Sequence, residues 1–454
     1  MNKINSMQEL TIIGGGLAGC EAAWQAASRG IRVDLYEMRP AVMTPAHVSD
    51  KLAELVCSNS LGSALIDRAS GLLKEELRLL DSLLLDCAEQ TSLPAGGALA
   101  VDREAFAQAV SDKITSHPNI NLIREEVTEI PSSPAIIASG PLTSPKLCDA
   151  IQQLIGQERL FFYDAIAPVV TFDSIDMDIA FRASRFDRGE MEEGDYINCP
   201  MDKEQYLAFV RALLEAERFQ LRDFETDIPL GVTAGSKEFF EGCLPVEVMA
   251  GRGEMALAFG PMRPIGIHDP RTHLRPYAVM QLRQDNLAGS LYNIVGFQTN
   301  LLEKEQQRVF HTVPGLANAR FARYGQMHRN TYFASPLVLK PTLQTRQRDD
   351  LFFAGQITGV EGYMGNIATG LLAGLNAARL LNDRPPLELP VTSMLGALCH
   401  YVTHAELKDF QPMKANFGLL PPLMEPIKNK KESKAAVVAR ALDSVKECLP
   451  QIQP

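Results

Sequence analysis

Near its beginning the chain reads LTIIGGGLAG (residues 10–19), an apolar run that passes directly into a glycine-rich turn. The apolar run predicts a strand over residues 9–14, and the alanine-rich segment behind the turn predicts a helix over residues 17–29. Gly30 is typical of a helix end, and the alternating residues 31–37 predict a second strand. Together these elements form a βαβ unit, the structural context that a dinucleotide-binding turn requires.

The glycines of this turn have the spacing G-x-G-x-x-G, at Gly14, Gly16 and Gly19. Glycine permits the tight turn and lets backbone N–H groups reach a pyrophosphate. Glu37 follows the third glycine by close to the ~20 residues at which an acidic side chain binds a ribose. Its carboxylate can accept both ribose hydroxyls and disfavours a 2′-phosphate, so the site suits FAD or NAD rather than NADP. The alternative is a tight strand–helix turn without a ligand, but Glu37 favours the ligand.

A second strand-to-helix switch occurs at DLFFAGQITG (residues 350–359) and leads into a predicted helix that includes residues 370–378. The N-terminus of such a helix offers N–H groups and a partial positive charge to a phosphate or a flavin oxygen. A dehydrogenase with a single dinucleotide-binding unit does not need this second switch, whereas a flavoprotein does. Residues 135–141 (AIIASGP) predict another short strand that ends in a glycine turn, as when a chain returns to a flavin-binding sheet; a simple buried strand that ends in a turn is an almost equal alternative.

The length of 454 residues exceeds what one compact core usually holds, so two or three domains are expected. Residues 165–335 differ in character, with an acidic run, a predicted helix near residues 202–218 and many short strands. We therefore predict an α/β fold with a discontinuous, Rossmann-like FAD-binding domain and an α+β insertion domain. The predicted boundaries are 1–170 and 335–454 for the two parts of the FAD-binding domain, the second with a C-terminal tail, and 171–334 for the insertion.

The composition is that of a soluble globular protein, with 46% hydrophobic and 22% charged residues. No apolar run approaches the ~18 residues that span a membrane, and the N-terminus lacks the apolar region of a secretory signal. Eight cysteines without a CxxC pair argue against a disulfide framework or a structural zinc site, and favour a reducing cytoplasm. Leucines at helical spacing predict one core-facing helix within residues 71–90.

The net charge of −11 disfavours a general nucleic-acid binder, because phosphate contacts need Lys and Arg, but it allows a local basic face. Two clusters in the predicted insertion bring basic residues together with histidines or aromatic residues. The first comprises Arg263, His268, Arg271, His273, Arg275 and Arg283, and the second Arg320, Arg323, His328 and Arg329 with Phe321, Tyr324 and Tyr332. Such combinations suit phosphate contacts and base stacking, although either cluster alone is more typical of a solvated surface.

Two cysteines lie in polar or turn-rich surroundings, Cys57 in LVCSNS (residues 55–60) and Cys243 in EGCLP (residues 241–245). Near a helix N-terminus the pKa of Cys57 would fall and a thiolate would be available; an inert, buried thiol is an equal alternative. Cys243 lies on a predicted turn, which can present a nucleophile or have no chemical role. We interpret Cys20, Cys87 and Cys199 as packing residues. His400 and His404 lack an HExxH motif, so no zinc site is expected there.

Taken together, the motifs resemble the folate- and FAD-dependent tRNA (uracil-5-)-methyltransferases, the TrmFO family. The resemblance extends from about Gln8 to about Arg440. It is carried by GGGLAGCEAAW (14–24), VDLYEMRP (33–40), TPAH (44–47), KLAELVCSNSL (51–61), GLLKEEL (71–77), LPAGGALAVDR (93–103), FFEGCLPVE (239–247), FGPMRPIG (259–266), YGQMHRNTY (324–332), LFFAGQITGVEGY (351–363) and FGLLPPL (417–423). The tRNA wobble-uridine flavoproteins share the glycine motifs but are longer and lack this set.

The resemblance implies methylation at C5 of a tRNA uridine, in the T-loop, with different roles for the two cysteines. Cys243 would attack C6 of the uracil, which makes C5 a carbon nucleophile toward the one-carbon unit of 5,10-methylenetetrahydrofolate. Cys57 would remove the C5 proton and help to shape the flavin site. Reduced FAD would supply the hydride that completes the methyl group, and NADPH or NADH would reduce FAD again.

Candidate cofactor-binding residues lie in the two glycine-rich segments and after the second strand: Gly14, Gly15, Gly16, Leu17, Ala18, Gly19, Glu37, Arg39, Gly355, Gln356 and Gly359. The chain departs from the family pattern at Gly62, at residues 249–252 and at residues 364–366, of which the last should lie near the flavin. Three alternatives stay open: ribosomal RNA as the substrate, an FAD/NAD(P)H oxidoreductase without RNA activity, and a flavin-containing tRNA-binding protein without catalysis.

Overall fold

The computed structural model describes residues 8–156, 160–219 and 244–452. Its strands are β1 (Glu9–Ile13), β2 (Arg32–Tyr36), β3 (Ser60–Ser63), β4 (Ser92–Leu93), β5 (Ala98–Val101), β6 (Ile120–Ile123), β7 (Ala135–Ile137), β8 (Leu160–Ala165), β9 (Val169–Thr171), β10 (Phe181–Ala183), β11 (Tyr196–Met201), β12 (Ala278–Gln284), β13 (Leu291–Ile294), β14 (Phe321–Arg323), β15 (Met327–Tyr332) and β16 (Leu351–Phe353). Its helices are α1 (Leu17–Ala27), α2 (Ala69–Leu79), α3 (Leu83–Gln90), α4 (Arg103–Ser116), α5 (Pro145–Ile155), α6 (Lys203–Leu214), α7 (Val246–Ala250), α8 (Ala256–Phe259), α9 (Glu303–Phe310), α10 (Ser335–Val338), α11 (Tyr363–Leu381), α12 (Met394–His404) and α13 (Lys430–Ile452). None of the helices in these ranges combines the length and the hydropathy needed to cross a bilayer.

A parallel five-stranded sheet has the order β16-β7-β1-β2-β6, and we refer to the part of the structure around it as the first domain. Strand β16 pairs with β7 with Phe352 opposite Ile136, although more than two hundred residues separate the two strands in the chain. Apolar side chains dominate these strands because both faces of a parallel sheet are covered by helices. The predicted α/β, Rossmann-like architecture built from two distant parts of the chain is therefore confirmed.

Helices α1 and α11 pack against each other almost backbone to backbone. A Cβ atom on Gly370 would lie 2.2 Å from the carbonyl oxygen of Ala18, and one on Gly374 would lie 2.3 Å from that of Ala22. Glycine is required at both positions because any side chain would collide with α1. Helix α11 begins at Tyr363, earlier than predicted. Its first two turns therefore extend about 10 Å beyond the start of α1, toward a cleft that lies over the glycine-rich turn.

The predicted helix within residues 71–90 is divided into α2 and α3. Asp81 adopts a positive φ of 55° between the two helices, and the hydroxyl of Ser82 accepts the N–H of Leu85 as the N-cap of α3. The leucines are buried as predicted, with Leu72, Leu77 and Leu84 fully enclosed. Leucine periodicity thus identified the buried face, but it could not locate the local cap that interrupts the helix.

A second sheet contains six antiparallel strands in the order β10-β11-β12-β13-β9-β14, and we refer to the part of the structure around it as the second domain. Helix α6 packs on it and begins with a capping box, in which Asp202 and Gln205 accept each other's backbone N–H groups. Two shorter sheets, β8-β15 and β3-β5-β4, complete the strands. Strand β5 leads into Asp102 and Arg103, which reach the end of β12 and join the two domains.

Candidate functional site

The glycine-rich turn follows β1, and each of its glycines meets a different steric demand. Gly14 has a φ of +107°, and a Cβ atom there would lie 2.6 Å from the carbonyl oxygen of Ala138. A Cβ atom on Gly19 would lie 1.8 Å from the carbonyl oxygen of Gly14, whereas one on Gly16 would meet nothing within 4 Å. Gly14 and Gly19 are therefore required for packing, and Gly16, the N-cap of α1, exposes its backbone to open space where a phosphate can approach.

Glu37 and Arg39 form a buried ion pair next to this turn. Oε2 of Glu37 accepts the N–H of Gly15 at 2.9 Å, and Oε1 accepts the backbone N–H and the Nε of Arg39 at 3.0 and 2.9 Å. Burial raises the pKa of Glu37. The hydrogen bonds and the charge of Arg39 lower it by more than burial raises it, so the pKa lies below its usual value. Three of the about four lone-pair sites of the carboxylate are occupied, which leaves one for a ribose hydroxyl instead of the two expected from the sequence.

A cleft extends over the turn and the start of α11. Of the predicted cofactor-binding residues, its wall includes Gly14, Gly16, Leu17, Ala18, Glu37, Arg39, Gly355 and Gln356. Gly15, Gly19 and Gly359 are not in the wall. Gly15 donates to Glu37, Gly19 packs beneath Gly14, and Gly359 packs on the Phe410 ring.

Asn366, in the first turns of α11, contributes an unpaired acceptor to the same cleft. Its side chain is 8% exposed and lines the cleft, and its Oδ1 has no hydrogen-bond partner among the described residues. A buried acceptor without a donor costs about 1–3 kcal/mol. The cleft therefore fits a ligand that brings a hydrogen-bond donor to Asn366.

Cys57 lies in the wall of a second cleft that joins the first. The two clefts share the wall residues Val56, Pro141, Leu142, Gln356 and Tyr363. The phenol oxygen of Tyr363 accepts the backbone N–H of Cys57 at 2.8 Å and that of Ser58 at 3.2 Å. Burial is the main cause that raises the pKa of Tyr363, and the nearby Cys57 raises it too. The phenol therefore stays protonated and keeps one O–H to donate.

Arg103 of α4 and residues at the end of β12 also hold the segment around Cys57. Nη1 of Arg103 donates to the carbonyl oxygen of Leu55 at 3.0 Å and its Nη2 to that of Cys57 at 3.4 Å. The same guanidinium donates to Oδ1 of Asp285 at 3.1 Å. Asn59 is fully buried; it accepts the Nε of Arg283 at 2.9 Å and donates to the carbonyl oxygen of Gln284 at 2.9 Å. Four polar side chains thus fix Cys57 at the junction of the two domains.

The two predicted basic clusters are only partly surface features. Arg263, His268, Arg271, His273 and Arg275 are exposed, and we refer to these five as the basic face. The expectation of a surface role was wrong for Arg283, which is 7% exposed and bonded to Asn59, and for Tyr332, which is fully buried. In the second cluster Arg320 is exposed, whereas Arg323 turns its guanidinium inward. For His328 and Arg329 only the backbone of β15 is described.

Cys243 lies outside the described residues, but the residues that follow it are in place. Leu244 is buried, and the N–H of Val246 donates to the carbonyl oxygen of Gln298 at 2.7 Å. Gln298 lines the second cleft together with Cys57. The backbone of Val246 is therefore bonded to a residue in the wall of the cleft that contains Cys57.

The remaining described cysteines are buried, and Cys57 is the one thiol of the seven that is partly accessible. Burial raises the pKa of Cys20, Cys87 and Cys199, which suits packing residues. Within the described ranges no group of three or more His, Cys, Asp and Glu side chains could hold a metal ion.

Sequence reasoning did not single out Tyr363, Arg103, Asp285 or Asn366 as individual site residues. Tyr363 and Arg103 stand at the ends of the motifs VEGY and AVDR, and a motif end next to a predicted helix start could have drawn attention to them. Asp285 carries no sequence signal. Its position depends on the antiparallel pairing of β12 with β13.

Comparison with known proteins agrees with this geometry. The family model described as "Glucose inhibited division protein A" (GIDA) matches residues 9–385. A protein of Enterococcus faecalis, named methylenetetrahydrofolate–tRNA-(uracil-5-)-methyltransferase TrmFO, is 55% identical over 436 residues, which cover 96% of this chain and 97% of the relative. A protein of the same name from Halalkalibacterium halodurans is 54% identical over 440 residues, 97% of this chain and 98% of the relative.

Among solved structures, GidA of Aquifex aeolicus superimposes with a TM-score of 0.67 at 16% identity. The match covers 98% of this chain and 74% of that protein. At this identity the likeness concerns the fold, and it extends over both domains.

Proposed function

The chain belongs to the TrmFO family of methylenetetrahydrofolate–tRNA-(uracil-5-)-methyltransferases, and we propose that its two joined clefts divide the reaction. FAD binds in the first cleft, and the target uridine of the tRNA enters the second, beside Cys57. The observation that carries this proposal is the shared wall of the two clefts, where Tyr363 holds the backbone of Cys57. A base in the second cleft can then remove the C5 proton, while a hydride from the first cleft reaches the one-carbon unit attached to C5.

The first cleft has the features that FAD requires. Gly16 and the N-terminus of α1 suit a pyrophosphate, Glu37 suits the adenosine ribose, and the unpaired Oδ1 of Asn366 suits a donor of the ribityl chain or the flavin ring. When bound and reduced, FAD supplies the hydride that completes the methyl group. NADPH or NADH serves as the reductant in this proposal.

Within the second cleft, we assign Cys57 as the base that removes the C5 proton and Cys243 as the nucleophile that adds to C6 of the uracil. Addition at C6 divides one difficult step into two easier ones because it generates a carbon nucleophile at C5. Two observations support these roles. Cys57 is partly accessible, and Val246, three residues after position 243 in the chain, is bonded to Gln298 in the cleft wall. Tyr363 and Arg103 orient Cys57 through its backbone.

The five residues of the basic face provide the phosphate contacts for tRNA in this proposal. They are exposed on the second domain, in a protein whose net charge is −11. A T-loop uridine in the cytoplasm is the target we propose.

The test incubates the flavin-loaded protein with an unmodified tRNA transcript, methylenetetrahydrofolate and NADPH, and measures 5-methyluridine by nucleoside analysis. We expect 5-methyluridine in the T-loop fragment, and none when S-adenosylmethionine replaces the folate. A ribosomal RNA fragment serves as the competing substrate. Methylation of the rRNA fragment but not of the tRNA would overturn the proposed target.

The cysteine assignments are tested with tRNA that carries 5-fluorouridine, which traps the covalent adduct because C5 has no proton to lose. We expect Cys243→Ala to abolish the trapped complex and Cys57→Ala to keep it while losing methylation of ordinary tRNA. Normal methylation by Cys243→Ala would contradict the assignment.

A further inference from the structure

Two carboxamide side chains in the wall of the second cleft have no hydrogen-bond partner. Asn330 of β15 is 5% exposed, and its amide bonds to no residue that the structure describes. Gln298 lies half-buried in the same wall, and its amide is equally unpaired within the described ranges. Gln356, the third carboxamide of the wall, donates instead to Glu361 at 2.8 Å. Because a buried polar group without a partner costs stability, Asn330 and Gln298 point to a ligand.

The backbone next to each of the two amides is held in place. Thr331, the residue after Asn330, donates its N–H to the carbonyl oxygen of Pro141 at 2.9 Å. Thr299, the residue after Gln298, donates its hydroxyl to the buried carboxylate of Glu247 at 2.9 Å. Both amides therefore extend from fixed backbone, which reduces the entropy that is lost when they bind a ligand.

The chemistry of this wall fits a neutral, planar base. The apolar side chains of Val56, Leu142 and Ile166 suit the faces of a ring, and a carboxamide brings one acceptor and two donors without a charge. The Watson–Crick edge of uracil presents the acceptor O2, the donor N3–H and the acceptor O4 in that order. One carboxamide can accept N3–H and donate to an adjacent oxygen, while a second donates to the other oxygen. Enzymes commonly bind an unstacked base by such contacts to this edge.

We propose that Asn330 and Gln298 form the subsite that binds the target uracil by its Watson–Crick edge. The proposal rests on the proposed function, in which the uridine enters the second cleft. Asn330, the more buried of the two, accepts N3–H and donates to O4, and Gln298 donates to O2. Because N3 lies opposite C6 in the ring, bonds at this edge leave C5 and C6 open to reaction.

The test measures the affinity of the flavin-loaded protein for a T-arm stem–loop RNA by fluorescence anisotropy, in the absence of folate. Two RNAs are compared, one with uridine and one with 3-methyluridine at the target position, where the methyl group removes the N3–H donor. We expect the preference of the wild type for uridine to be at least about fivefold greater than that of Asn330→Ala, the effect of one hydrogen bond. Gln298→Ala should weaken both RNAs about fivefold and keep the preference, since O2 is present in both.

Gln326→Leu is the matched control, because this carboxamide directly precedes the same strand but is exposed and lies outside the cleft wall. Its preference for uridine should equal that of the wild type. If Asn330→Ala does not fold, Asn330→Asp takes its place: it keeps the shape of the side chain but cannot donate to O4, so its affinity for the uridine RNA should fall about fivefold.

Equal preferences in the wild type and Asn330→Ala, or an unchanged affinity of Asn330→Asp, would overturn the proposal. So would a weaker affinity for tetrahydrofolate in Asn330→Ala together with an unchanged preference for uridine, since the amides would then serve the folate. Because binding is measured without folate and without turnover, a failure of this prediction is distinct from a failure to methylate tRNA.

Discussion

The phenol oxygen of Tyr363 lies 2.8 Å from the backbone nitrogen of Cys57, although 306 positions separate the two residues. The same oxygen accepts the N–H of Ser58 at 3.2 Å. One side chain at the start of α11 therefore satisfies two consecutive backbone donors and sets where the Cys57 thiol can point. Since Tyr363 also lines both clefts, it couples the position of the proposed base to the proposed flavin site.

Tyr363→Phe should leave both N–H groups without an acceptor. We expect the free energy of unfolding to fall by about 1–3 kcal/mol and methylation to slow more than flavin binding weakens, since the change acts on Cys57. Urea denaturation and methylation rates check this. Tyr324→Phe is the control, because the hydroxyl of Tyr324 is bonded to Gln307 on the surface. This variant should change neither quantity. Unchanged stability and rate in Tyr363→Phe would show that this hydrogen bond is dispensable.

Glu37→Gln should remove a pH-dependent contribution to stability. The pKa of Glu37 is lower in the folded protein than in the unfolded chain, where it is about 4.3. Its stabilisation is therefore complete above that value and is lost as the pH falls through the lower, folded pKa. At pH 7 we expect the variant to be about 1.5–3 kcal/mol less stable.

The difference between Glu37→Gln and the wild type should shrink steadily below pH 4 in urea denaturation. Glu9→Gln is the control, because Glu9 forms only an exposed ion pair with Arg32. A stability gap that stays constant from pH 7 to pH 3 would contradict the role of the ionised carboxylate.

Asn366→Leu should have opposite effects with and without the flavin. Because the change removes an unpaired buried acceptor, the flavin-free variant should be at least as stable as the flavin-free wild type. Loss of the hydrogen bond to FAD should weaken flavin binding by about 1 kcal/mol, or about fivefold. Fluorescence titration of FAD and thermal denaturation of the flavin-free protein measure the two effects. Asn382→Leu at the exposed end of the same helix is the control, and equal FAD affinity in Asn366→Leu and wild type would argue against the contact.

Neutralising the basic face should weaken tRNA binding in a salt-dependent manner. Each lost phosphate contact should reduce the slope of log affinity against log salt by close to 1. We expect this for Arg263→Gln and Arg275→Gln, measured by filter binding at several salt concentrations. Lys430→Gln and Lys431→Gln, exposed at the start of α13, are the controls. Unaltered slopes in both arginine variants would place the tRNA elsewhere.

By itself the sequence determined the dinucleotide turn and the family. The turn from Gly14 to Gly19 is local, so spacing and the following Glu37 suffice to identify it. The discontinuous sheet was also predictable because β16 and α11 repeat the same pattern of apolar strand and glycine-rich switch. The interruption of helices α2 and α3 at Asp81 was not predictable, since leucine spacing reports the buried face and not the cap.

Tertiary structure alone decided which charged residues are surface features and which surround Cys57. In the sequence Arg320 and Arg323 belong to one basic cluster, yet Arg320, just before β14, is exposed to solvent, whereas Arg323, at the end of β14, has two buried guanidinium nitrogens. Burial, and therefore the cost and the chemical effect of a charge, depends on what packs over it from distant segments. For that reason glycine spacing could identify the cofactor turn, whereas the hold of Tyr363, Arg103 and Asp285 on the Cys57 segment became visible only in the folded chain.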